Sequence, residues 1–228
     1  MLYSLKAASV LTFGLLAAAI PLAVAPEAGL AQTALGTIAG RVILEPLPPR
    51  RSANRYPGGQ AEPHQIQQLP AVAYLVGDVA SAPAEGANAR PTMAQQDTTF
   101  VPSVVIVRAG GTVAFPNQDG FFHNVFSYSS AQRFDLGRYP LGESKSVTFN
   151  EPGIVEVFCE VHEFMRGAII VSENPFVALV GADGSFRFSG VPEGEHTIAF
   201  WHPDHRSLEQ RIEVTAGGTT RVEVELRR

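Results

Sequence analysis

Apolar and polar residues alternate in short runs along most of this chain, with Gly, Pro and Asp between the runs. Ile38, Gly40, Val42 and Leu44 alternate with Ala39, Arg41, Ile43 and Glu45, the pattern of a half-buried strand. A polar, Pro- and Arg-rich excursion over 46–70 leads to a second predicted strand over 71–76. Strands are predicted over 101–108 and 112–116 around the turn Ala109-Gly110-Gly111, and over 144–149 before a turn at Pro152-Gly153. The run 154–159 puts Val155, Val157 and Cys159 on one face and Glu156 on the other. Strand side chains alternate between faces, so the thiol points with the valines into an apolar interior. Further strands are expected over 167–171, 176–180, 185–188, 196–201, 210–214 and 220–226. In the last, Val222, Val224 and Leu226 oppose Arg221, Glu223 and Glu225. No long stretch of helical period follows the N-terminal segment, so the expected class is all-β.

The strands fall into three blocks, 36–77, 98–173 and 176–228. Residues 78–97 are rich in Ala, Pro, Gly and Gln, have neither periodicity nor enough apolar content to pack, and read as a linker. Residues 1–31 read as an export signal: Lys6 is the lone charge of a short basic region, and 7–25 is almost wholly apolar. Cleavage is expected after Ala31 rather than Ala25, which would leave Pro26 at the new terminus. A retained membrane anchor is the alternative, opposed by Pro21 and the small-residue cleavage sites. The exported chain, periplasmic in a Gram-negative cell, would then have no membrane span.

Composition narrows the options. There are 17 Lys and Arg against 22 Asp and Glu, a net charge of −5. The signal removes Lys6 and Glu27 together, leaving that balance unchanged and Lys145 as the last lysine. No basic patch for nucleic acid results. The single cysteine, Cys159, cannot form an internal disulfide, and a free thiol in an oxidising compartment is a liability. Metal ligation would give it a protected role.

The candidate chemistry lies in Cys159-Glu160-Val161-His162-Glu163-Phe164-Met165. A second histidine follows upstream in Asn117-Gln118-Asp119-Gly120-Phe121-Phe122-His123-Asn124-Val125. Thiolate, imidazole and thioether are soft or borderline donors that favour copper over magnesium or calcium. Two imidazoles and a thiolate in a plane with a long axial thioether make an electron-transfer copper centre. Zinc could use the thiolate and imidazoles, but a thioether is a poor zinc ligand. Singly, each residue has a blander explanation: a buried structural thiol, surface loop histidines, a gap-filling methionine. Asn124 is either a turn residue or a side chain tying one ligand loop to the other. Phe121, Phe122 and Phe164 are either core or an apolar rim around an exposed ligand edge.

The middle block resembles the cupredoxins, the small blue copper proteins. The likeness runs through Val104-Val105-Ile106-Val107, Ala109-Gly110-Gly111-Thr112-Val113, Phe115-Pro116-Asn117, His123-Asn124-Val125, Pro152-Gly153, Val157-Phe158-Cys159, His162 and Met165. The Cys-x-x-His-x-x-Met spacing resembles the short amicyanin loop, although Val161 stands where many cupredoxins carry proline. The resemblance implies a Greek-key β-sandwich with one type 1 copper site, Cu(I)/Cu(II), held by His123, Cys159, His162 and Met165. It also implies a redox partner protein such as a dehydrogenase, cytochrome or oxidase. The outer blocks resemble carboxypeptidase regulatory-like, transthyretin-related β-sandwiches through Ile38-Ala39-Gly40-Arg41-Val42, 71–77, Asp183-Gly184-Ser185-Phe186-Arg187-Phe188 and Gly190-Val191-Pro192-Glu193-Gly194. Such an arrangement is similar to bacterial proteins loosely described as methylamine-utilisation-like. It implies a cupredoxin inserted into, or fused beside, a second sandwich.

No nucleophile elbow, phosphate-binding glycine loop or metallohydrolase signature appears, so the reading is of a protein that is not an enzyme. A copper-binding module for storage, delivery or sensing is the alternative role. Trp201-His202-Pro203-Asp204-His205 has weak chelating potential but reads as a solvated turn after a strand.

Overall fold

The computed structural model of the chain describes residues 34–47, 66–79 and 91–228. The expected export signal, 1–31, lies outside the described residues. Among those described, the regular structure is sixteen strands and no helix, and none is a helix long and apolar enough to cross a membrane. The all-β class expected from the alternation is the class observed.

The middle of the chain forms a five-stranded sheet in the order β5 (Val104–Arg108), β11 (Arg166–Ser172), β10 (Gly153–Phe158), β7 (His123–Ser127), β8 (Phe134–Tyr139). Opposite it lie the ribbons β6 (Gly111–Pro116) with β9 (Ser144–Phe149), and β3 (Ala94–Gln96) with β4 (Thr99–Val101). Bridges Thr92–Ala114 and Gln95–Asn117 tie β3 to β6. Phe100, Val105, Val113, Phe115, Phe149, Val155, Val157 and Ile169 form one apolar cluster with Cys159 and Met165.

The two ends of the chain meet in a second pair of sheets. β1 (Leu35–Leu44) lies between β13 (Ser185–Pro192), antiparallel, and β16 (Thr219–Leu226), parallel. The facing sheet runs β12 (Val177–Leu179), β2 (Val72–Leu75), β14 (Gly194–Trp201), β15 (Leu208–Val214). Ile38 and Val42 of β1 share a core with Leu75, Phe186, Ile198, Phe200, Val222 and Val224. Gly40 is required there: a Cβ would sit 1.9 Å from the Val222 carbonyl oxygen and 2.7 Å from the Phe186 ring.

β11 joins the two halves, and its sequence explains how. Ile169 and Val171 face the first cluster, while Ala168 and Ile170 pack with Leu69, Val72, Val104 and Trp201. A strand buried on both faces reads as an unbroken apolar run, and Gly167-Ala168-Ile169-Ile170-Val171 is such a run. Each large apolar side chain buried at this junction contributes roughly 1.5–3 kcal/mol.

Three expectations need correction. The linker expected over 78–97 does not extend to 97: residues 80–90 lie outside the described ones, but β3 begins at Ala94 and Met93, Ala94 and Gln95 are buried. The single strand expected over 101–108 is two, β4 and β5, divided at Pro102-Ser103; proline has no N–H to continue a ladder. The turn after Trp201 is not solvated at His202, which is buried. His202 Nδ1 accepts the Asp204 backbone N–H at 3.2 Å and lies 2.9 Å from His205 Nδ1. Burial, then the neighbouring His205, pushes its pKa below the usual imidazole value.

Candidate metal centre

The antiparallel register of β10 and β11 runs from Gly153–Val171 to Phe158–Arg166. Residues 159–165 are therefore the connection of a β-hairpin. Cys159 is its first residue, buried on the Val155 and Val157 side. Met165 is its last, and its N–H donates to the His162 carbonyl oxygen at 3.0 Å, closing a turn over four residues. β7 runs antiparallel beside β10, with Phe126 opposite Phe158, which brings His123 at the start of β7 to the same end of the sheet.

The result is a convergence of donors. Cys159 Sγ lies 3.6 Å from His123 Nδ1 and 3.8 Å from His162 Nδ1, and the two Nδ1 atoms are 3.1 Å apart. Among the described residues these three make the one cluster of His, Cys, Asp or Glu groups with a metal-ligating arrangement, all donor atoms within 4.8 Å of one another. The point equidistant from the three lies about 2.0 Å from each, the length of a metal–imidazole bond and about 0.3 Å short of a metal–thiolate bond. A single ion therefore fits between them, and one thiolate with two imidazoles suits copper. Met165 is fully buried in the cluster that holds Cys159.

Neighbouring groups hold the donors in place. Asn124 Oδ1 accepts the Glu160 backbone N–H at 2.7 Å, tying the β7 ligand to the hairpin. Asn117 Nδ2 donates to the Phe121 carbonyl at 2.8 Å and the Tyr139 carbonyl at 2.9 Å, fixing the approach to His123. Asp119, which the sequence reading passed over, is buried with its carboxylate 2.7 Å from His123 Nε2. Burial alone would raise the pKa of Asp119. The Thr98 N–H, the His123 imidazole and the Asp97 N–H outweigh it and hold the group below the usual carboxylate range. The only signal in sequence is an aspartate four residues before a histidine, too common to single out.

His123 is fully buried, whereas His162 is partly exposed. The Phe121 ring lies 5.1 Å from the His123 ring and 5.5 Å from that of His162, and the Phe164 ring lies 5.7 Å from His162. Phe121, Phe122 and Val161 are exposed. Of the two readings open for these phenylalanines, the exposed rim describes Phe121.

Residues 87–172 match the model of the copper binding proteins of the plastocyanin/azurin family. Over 83 residues the chain is 36% identical to plastocyanin of Scenedesmus fuscus, a match covering 32% of this chain and 85% of that protein. The chain belongs to the plastocyanin/azurin family. It is also 35% identical over 91 residues to the chloroplastic plastocyanin of Physcomitrium patens, covering 32% of this chain and 50% of that one. Amicyanin of Paracoccus versutus is 36% identical over 70 residues, with 29% and 53% covered. The chain thus spans about half the length of the moss plastocyanin and of the amicyanin. Copper is the metal of this cupredoxin family, and the Cys159, His123 and His162 cluster lies within the matched residues.

Proposed function

We propose that this is an exported, periplasmic type 1 copper protein that carries single electrons between redox partners. Cys159, His123 and His162, with Met165, are the residues that would hold the copper. The observation that carries the reading is the convergence of two Nδ1 atoms and one Sγ on a point about 2.0 Å from each. Copper bound there would supply one-electron Cu(I)/Cu(II) chemistry. The protein's part is to keep the donors still. Cys159 and His123 are buried, Asn124 ties β7 to the hairpin, and the His162–Met165 turn braces the loop. Donors that stay in place in both oxidation states keep reorganisation small.

His162 is the partly exposed one of the three, and the exposed Phe121, its ring 5.5 Å away, and the neighbouring Val161 add apolar surface beside it. We assign that face to a redox partner, a dehydrogenase, cytochrome or oxidase, docking close to the ligand. The cupredoxin block, 98–173, is taken as an insert in the sandwich formed by 36–77 and 176–228. The N-terminal apolar segment with its small-residue cleavage sites supports export.

The test is repeated cycling of the copper-loaded protein with a small inorganic redox couple in a stopped-flow instrument. Reduction and reoxidation at roughly 10⁵ M⁻¹s⁻¹ or faster, through many cycles without metal loss, are expected. Release of copper on reduction would overturn the carrier reading and favour storage or delivery.

A further inference from the structure

Asp119 is a charged side chain in a buried place. An ionised carboxylate taken from water is costly unless its oxygens find donors, and here three donors are aimed at it. Oδ1 accepts the Asp97 N–H at 2.7 Å; Oδ2 accepts the Thr98 N–H at 3.0 Å and lies 2.7 Å from His123 Nε2. Asp97 and Thr98 hold φ of 51° and 55°, the left-handed pair that the two-residue loop of the β3–β4 hairpin requires. In that turn both N–H groups reach the Asp119 carboxylate. The β3–β4 turn thus supplies two backbone donors to the Asp119 charge.

The consequence reaches the metal cluster through His123. An ionised carboxylate only accepts hydrogen bonds, so in the neutral ring Nε2 must carry the imidazole proton and Nδ1 must present its lone pair. Nδ1 is the atom that faces Cys159 Sγ and His162 Nδ1. The carboxylate therefore selects the tautomer that ligation needs and sets a fixed negative charge directly behind one ligand.

We propose that Asp119 is a positioning residue for the copper site, which locks His123 as its Nε2–H tautomer and lowers the reduction potential by favouring Cu(II) over Cu(I). The proposal rests on the reading that His123 ligates copper. Its sign follows from electrostatics: a nearby anion stabilises the more positive ion more strongly.

Two measurements test it. The first is long-range ¹H–¹⁵N NMR of the copper-free wild type, where His123 is expected as the Nε2–H tautomer with a slowly exchanging, downfield proton. A neutral His123 ring protonated at Nδ1 and not at Nε2 would overturn the proposal without touching the copper reading. The second is the potential of copper-loaded Asp119→Asn. Removing the charge is expected to shift the reduction equilibrium at least tenfold toward Cu(I), about 59 mV for one electron, with the visible thiolate band retained. A purely structural role would lower stability and leave the potential alone. A coloured Asp119→Asn protein with a potential within threefold of wild type, as an equilibrium constant, would refute the charge effect. A colourless copper-loaded wild type would instead refute the copper reading and the potential claim together. If the variant does not fold, the wild-type tautomer still decides.

Discussion

Met165 differs from the three converging donors in that packing, as well as ligation, gives it a reason to be where it is. It is fully buried beside Cys159 and closes the turn begun at His162. Leucine has nearly the same volume, and such exchanges cost less than about 1.5 kcal/mol. Met165→Leu is therefore expected to fold, bind copper and stay coloured. Losing a weak donor disfavours Cu(II) more than Cu(I), so its potential should rise in a redox titration. A fall in potential, or loss of copper at micromolar protein, would mean that Met165 is not a weak copper ligand. At this scale Cys159, His162 and Met165 were legible because one hairpin carries them at fixed spacing. His123 was a weaker signal, since its partners are far away in sequence, and the resemblance strengthened it. Asp119 was illegible: its partners Asp97 and Thr98 straddle the boundary between a stretch that composition alone describes as a linker and the block that follows it.

Among the elements, the β10–β11 hairpin is held from outside the cupredoxin sheets. Arg166, next after Met165, donates to both carboxylate oxygens of Asp204 at 2.9 and 2.6 Å, and its Nε donates to the Gln67 carbonyl at 2.8 Å. Gln67 N–H in turn donates to the Phe164 carbonyl at 3.2 Å. Both ion-pair side chains are largely shielded, 12% and 13% exposed. Asp204→Ala should then cost about 1.5–3 kcal/mol in denaturant unfolding, mostly by leaving a shielded guanidinium unpaired. Arg166→Met together with Asp204→Leu should recover much of that loss. A single-variant cost under about 0.5 kcal/mol would show a pair as weak as those on open surfaces. Strand periodicity foretold most of the elements, but not β7, buried at four of its five positions, β8, an edge strand of mixed polarity, or β3, only three residues long. None offers enough alternation to read. The Arg166–Asp204 tie is hidden for another reason: a pair 38 residues apart leaves no trace in local pattern.

For the molecule as a whole, β11 is shared property: one face completes the cupredoxin core and the other the junction with β2 and β14. The pairing of β1 with β13 and β16 brings the chain's two ends into one sheet. Half-matching sequence fragments at 36–77 and 176–228 hinted at that closure, whereas the register could only come from the folded chain. Gly40 illustrates why: its need for a missing side chain arises from Phe186 and Val222, both distant in sequence. Everything proposed for this molecule depends on the hairpin and β7 presenting one thiolate and two imidazoles to a single copper ion. The direct test is titration of the purified full chain with Cu(II), followed by visible absorption and electron paramagnetic resonance, in parallel with Cys159→Ser. One equivalent should produce an intense thiolate-to-copper band with narrow copper hyperfine splitting in the wild type, and no such band in Cys159→Ser. A colourless wild type holding one copper, or a band that survives the loss of the thiol, would contradict the assignment.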